Sequence, residues 1–145
     1  MQSFFEPITE EEAGRINPVV LAFLGDAVYS LYVRERLVRA GGGKAADFQK
    51  TAAKLVSAKG QSEFFMAIEG NLSEKELDIF RRARNAKKAT KAKSASVTEY
   101  NRSTGFEAVV GYLYLTGNEE RLQEILSLNQ EENYRLTPKC EGFKP

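Results

Sequence analysis

The 145-residue chain is 42% hydrophobic and 28% charged, the balance of a globular domain of a size that suits one core. It holds no histidine and one cysteine, which excludes Ser–His and Cys–His nucleophile pairs, His-ligated zinc and a disulfide within the chain. Net charge is +1, yet residues 81–93 (RRARNAKKATKAK) carry seven Lys and Arg and no acid, so a local contact with a polyanion is expected on an otherwise acidic chain.

The N-terminal MQSFFEPITEEE is acidic and lacks the basic region of a signal peptide. Asn17 is suited to N-cap a helix with Pro18 at its first position. That helix is expected to reach about Ala40 and to stop at Gly41-Gly42-Gly43. Its apolar run, Val19 to Val33, is broken by Asp26 and falls short of the roughly 18 residues a membrane span needs. A second helical region is expected from Ala46 to Glu69, ended by Gly70-Asn71, with Gly60 as its bend or break. Ser73 and Glu76 form a capping-box pattern that opens a helix into the basic segment. Residues 88–98 lack a large apolar side chain before Val97 and read as a loop. Ser103 or Thr104 is the expected cap of a helix through Leu115, and Asn118-Glu119-Glu120 opens a last helix to Leu128. Residues 129–145 have no convincing period and read as a loose tail. With no β-type alternation, the expectation is an all-α domain over residues 1–128.

Two carboxylates stand out. Asp26 is the only charge in VVLAFLGDAVYSLYV, flanked by Gly25, Ala27 and, one turn earlier, Ala22. Glu107 is the only charge between Arg102 and Glu119, with Gly111 one turn further along the same face. A mid-helix glycine costs about 1 kcal/mol relative to alanine and usually has a packing or access reason. Two apolar helices, each with one acid beside Gly and Ala, point to a place where two carboxylates meet. Such a pair repels unless a proton or cation lies between. With neither histidine nor a cysteine cluster, the cation expected is a hard one, Mg²⁺ or Mn²⁺. Spacing alone leaves charge pairing with Arg or Lys open as the other role for each acid. It likewise leaves the basic segment as a solvated face or a nucleic-acid contact.

LAFLGDAVYSLYVRERL resembles the signature helix of ribonuclease III, and STGFEAVVGYLYLTG resembles the second motif of that family. LVSAKGQSEFF, between them, is similar to its middle helix, so three motifs follow in order from Asn17 to Gly117. Two family acids have no counterpart: Ala22 and Thr104 stand where larger members carry Glu and Asp. Arg82-Ala83-Arg84-Asn85-Ala86-Lys87 resembles a segment of the compact Mini-III ribonucleases, which consist of the catalytic domain alone. The residues after Gly117 are too few for a double-stranded RNA-binding domain.

The resemblance implies a ribonuclease III-like helical endonuclease domain that acts as a homodimer on double-stranded RNA with Mg²⁺, for which Mn²⁺ substitutes. It implies Asp26 and Glu107 as catalytic metal ligands, and trimming of the 23S (large-subunit) ribosomal RNA precursor in a bacterial cytoplasm, with a large-subunit ribosomal protein as a further partner. The RNA-binding set expected from the basic segment is Arg81, Arg82, Arg84, Asn85, Lys87, Lys88, Lys91 and Lys93. A non-catalytic RNA-binding module and a helical scaffold with a basic face are the rival readings.

Overall fold

The computed structural model describes residues 3–88, 95–128 and 134, and every regular element among them is helical. In chain order these are α1 (Glu10–Gly14), α2 (Pro18–Ala40), α3 (Ala45–Val56), α4 (Ala58–Ile68), a 3₁₀ turn (Glu69–Asn71), α5 (Glu74–Asn85), α6 (Val97–Leu115) and α7 (Glu119–Leu126). No helix among the described residues is long and apolar enough to cross a membrane.

Helix α2 starts where its sequence directs. The Asn17 side chain accepts from the Val19 N–H at 2.8 Å, a cap worth about 1 kcal/mol, and Pro18 follows at the first position. Gly41 ends it with φ 72°, a left-handed angle that favours glycine. Helix α5 opens on the expected reciprocal cap between Ser73 and Glu76.

Three boundaries differ from the sequence reading. The break between α3 and α4 is at Ser57, not Gly60. Ser57 is extended (φ −64°, ψ 161°); its hydroxyl donates to the Lys54 carbonyl at 2.8 Å and accepts from the Gly60 N–H at 3.0 Å, so one residue ends α3 and caps α4. Gly60 serves the same corner differently, because a Cβ there would collide with the carbonyls of Lys54 and Leu55. Helix α6 begins two turns before Ser103, at a reciprocal cap between Ser96 and Glu99, which takes Val97 and Thr98 out of the expected loop. Ser103 and Thr104 lie inside the helix, their hydroxyls donating to the Tyr100 carbonyl at 2.7 and 3.0 Å. The structure adds α1, opened by a third such cap between Thr9 and Glu12.

Helix α6 runs through the centre of the molecule and packs against α2, α4 and α5. Tyr29 of α2, Phe64 of α4 and Phe106 of α6 form one aromatic cluster; Phe106 meets the other two rings edge-on at 5.1 and 5.5 Å. Phe65 and Phe80 stack at 3.9 Å and join α4 to α5. Helix α7 is fixed to α5 by Arg121, whose guanidinium donates to both carboxylate oxygens of buried Glu76 at 2.8 Å and to the Asn71 carbonyl at 2.7 Å. Of the expected tail, only Tyr134 is among the described residues. It is 7% exposed and lies under the Arg36 guanidinium, 4.4 Å from the ring centroid.

Candidate active site

Helices α2 and α6 cross backbone to backbone, and two glycines make this possible. A Cβ at Gly25 would occupy the space of the Glu107 carbonyl, and one at Gly111 that of the Leu21 carbonyl. Asp26 follows Gly25 directly and Glu107 precedes Gly111 by one turn, so the crossing that needs the glycines also delivers the two acids to each other. Their carboxylates lie within hydrogen-bonding reach. Asp26 is on the solvent side and exposed; Glu107 is half-buried behind it. Both acids stand on packed helices rather than loops, α2 and α6 being joined to α4 by the aromatic cluster of Tyr29, Phe64 and Phe106.

Burial first, and then the neighbouring charge of Asp26, push the Glu107 carboxyl up to about 9, while an amide contact from Gln61 pulls the other way. None of the ion pairs among the described residues uses either acid. The pair therefore presents negative charge with no Lys or Arg to answer it, and a cation fits. Among the described residues no group of three or more His, Cys, Asp or Glu forms a fuller ligand cage. Two carboxylates at one open position suit a hydrated Mg²⁺ or Mn²⁺, which keeps most of its water. Ala22 and Thr104 add nothing to this set: both are buried, and the Thr104 hydroxyl is spent on its own helix.

The basic residues divide by what they already touch. Arg81, Arg84 and Asn85 share one exposed face of α5 at helical spacing. Arg84 donates to the Asn85 side chain at 3.0 Å and lies over the Phe80 ring at 5.4 Å. Lys87, just beyond the helix, is exposed. Arg82 points another way, its guanidinium 3.4 Å from the Gly14 carbonyl. Lys88 donates to the carbonyls of Arg84 and Ala86 at 3.0 and 2.8 Å, capping the C-terminus of α5, and burial lowers its pKa. Lys91 and Lys93 lie outside the described residues.

One polar residue beside the site, Gln61, and one that braces its helix, Arg102, carry no pattern in the sequence. Gln61 is buried, and its amide pulls the Glu107 carboxyl pKa down. Arg102 donates to buried Ser62 at 2.8 Å, joining α6 to α4 one residue from Gln61. A single Gln between a glycine and a serine carries no pattern that marks it, and the only available signal was a polar side chain on the face that bears Phe64 and Phe65.

The chain matches the Ribonuclease III domain family over residues 19–118, which takes in both acids and the helices that carry them. It is 49% identical over 114 residues to the Mini-ribonuclease 3 of Streptococcus pneumoniae, covering 77% of this chain and 89% of that one. It is 40% identical over 131 residues to the Mini-ribonuclease 3 of Clostridium tetani, covering 88% and 87%. A crystal structure of a Fusobacterium nucleatum protein superposes with a TM-score of 0.72 at 33% identity, over 79% of this chain and 91% of that one. The chain belongs to the ribonuclease III family, in its compact Mini-ribonuclease 3 group.

Proposed function

We propose that this protein is a divalent-metal-dependent endoribonuclease that hydrolyses double-stranded RNA, with Asp26 and Glu107 holding a Mg²⁺ ion that Mn²⁺ can replace. The observation that carries the reading is the glycine-permitted crossing of α2 and α6, which gathers two otherwise unpaired carboxylates at one open position. A bound divalent cation supplies relief of phosphate charge and a water of lowered pKa. The chain's residues do the rest. Asp26, on the solvent side, and Glu107, behind it, would hold the cation, both carried by the packed α2–α6 crossing. Ala27, exposed beside Asp26, keeps bulk away from the approach. Arg81, Arg84, Asn85 and Lys87 hold the phosphates of a duplex that is read by shape rather than base sequence.

A homodimer belongs to this reading. Along α2, Val20, Phe23, Leu31 and Val38 form one helical stripe and are 55%, 81%, 53% and 67% exposed, an apolar surface of the kind a two-fold interface covers. Each protomer would then cut one strand. The resemblance to Mini-III ribonucleases supports the large-subunit ribosomal RNA precursor as substrate, a ribosomal protein as a further partner, and a cytoplasmic setting. The test is incubation of the purified protein with a labelled duplex from that precursor, a matched single strand, and Mg²⁺ or a chelator. Cleavage of the duplex alone, and only with Mg²⁺, is expected. Binding without cleavage would favour the non-catalytic module, and neither would favour the scaffold.

A further inference from the structure

We propose that Gln61 is a positioning residue for the acidic pair: its amide nitrogen steadies the Glu107 carboxylate, and its amide oxygen is reserved for water carried by the cation. The inference rests on the metal-site reading above and assigns a third residue to it.

Gln61 is 1% exposed, a rare fate for a glutamine. It lies in the first turn of α4, beside the corner where Ser57 ends α3. Its Nε2 donates to the Val56 carbonyl at 3.0 Å, and Val56 is the last residue of α3, so that carbonyl has no partner within its helix. A carbonyl accepts only from a donor, so the amide's orientation is fixed by this bond. The same amide lies beside Glu107, close enough to pull its carboxyl pKa down. A primary amide nitrogen has two hydrogens. One serves Val56, which leaves the other for the Glu107 carboxylate, so Gln61 is placed to link the α3–α4 corner to the acid on α6.

Its Oε1 is the observation that a purely structural role leaves unexplained. It is buried and accepts no hydrogen bond from the protein. A fold that needed only packing here would be better served by an apolar side chain, since an unmet buried acceptor is costly. Next to a carboxylate pair that fits a hydrated cation, an unused acceptor has an evident donor in water that arrives with the ion. Side chains one step behind the ligands orient them and tune affinity, and their loss typically weakens metal binding 10- to 100-fold.

The test replaces Gln61 with Met, which has similar length and no hydrogen-bonding amide, and measures Mn²⁺ binding without RNA by electron paramagnetic resonance. For Gln61→Met we expect Mn²⁺ affinity reduced about tenfold or more. We also expect a lower kcat at fixed Mg²⁺ with KM for duplex RNA unchanged, alongside a modest drop in melting temperature in chelator from the lost Val56 bond. Gln61→Asn keeps the amide but draws it back by one methylene; it is expected to lose Mn²⁺ affinity too, and it replaces the Met variant if that fails to fold. Unchanged Mn²⁺ affinity in a folded variant, with only the melting temperature reduced, overturns the proposal and leaves Gln61 as a tie at the α3–α4 corner. Asp26→Asn is measured in parallel. If it loses Mn²⁺ and Gln61→Met does not, the positioning role alone fails. If neither changes Mn²⁺ binding, the metal-site reading fails and takes the proposal with it.

Discussion

Glu107 is the residue whose state depends most on what sits beside it. Its carboxyl is pushed from an ordinary 4.5 up to about 9, first by burial and then by Asp26. Below pH 4.5 folded and unfolded chains both hold this proton, and the stability linked to it is complete. Between 4.5 and about 9 the unfolded chain releases the proton while the folded one retains it, so stability falls as pH rises through that window. Glu107→Gln should remove this slope from the metal-free protein and raise its melting temperature at pH 8. Saturating Mg²⁺ should raise the wild-type melting temperature and leave that of the variant nearly unmoved. Thermal melts at pH 5, 6.5 and 8, with chelator and with Mg²⁺, check both. Asp26 and Glu107 were legible in the sequence because each is a lone charge in an apolar helix beside glycine. Gln61 was not, because nothing local distinguishes a buried glutamine from an exposed one; its burial is decided by α6, some 40 residues away.

At the level of elements, the α2–α6 crossing makes the sharpest demand. Gly25→Ala forces a methyl into the Glu107 carbonyl, and Gly111→Ala forces one into that of Leu21. Each should destabilise the fold by about 1–3 kcal/mol, as overpacking does, and reduce cleavage further by separating the acids. Gly70→Ala, where a methyl meets open space, is the control expected to leave cleavage unchanged. Denaturant melts and turnover on the four proteins test this. The tie between α5 and α7 makes a second demand. Burial alone would raise the Glu76 carboxyl, but the Arg121 guanidinium and the Ser73 N–H outweigh it and hold it below 4.5. That stability is present above pH 4.5 and is lost as pH falls through the depressed value. Glu76→Gln should therefore cost about 3–5 kcal/mol near pH 7, the range for breaking a buried pair, and the difference from wild type should shrink in acid. The limits of α2 and the start of α5 were readable because their caps are local: Asn17-Pro18, Gly41, and Ser73 with Glu76. The starts of α1, α4 and α6 depended on Thr9, Ser57 and Ser96, and in α6 the hydroxyls of Ser103 and Thr104 offered rival caps that the packed helix overrides.

For the whole molecule, the proposed activity raises the question of how a duplex would be held. Arg81, Arg84 and Lys87 are exposed without ion-pair partners among the described residues, whereas Arg82 and Lys88 already serve backbone carbonyls. Neutralising the first three should weaken binding to any duplex sequence and flatten the dependence of log K on log salt by roughly 0.9 per lost contact, so about 2 to 3 in all, by the relation for DNA duplexes. Neutralising Arg82 and Lys88 should flatten it less and lower the melting temperature more. Binding titrations from low to moderate salt separate the two groups. The concentration of charge in residues 81–93 was plain in the sequence; which of its members are free was not, because that depends on where Gly14 and the end of α5 lie in space.

The central claim is that Asp26 and Glu107 act as one metal-holding unit in RNA cleavage. The most direct measurement is single-turnover cleavage of duplex RNA, titrated with Mg²⁺, by wild type, Asp26→Asn, Glu107→Gln and the double variant, with duplex binding followed separately. Each single variant should lose cleavage by a hundredfold or more while still binding the duplex, and the double variant should be little worse than either, because residues that serve one centre do not contribute additively. Cleavage by Asp26→Asn within tenfold of wild type, or losses that multiply fully in the double variant, would contradict it.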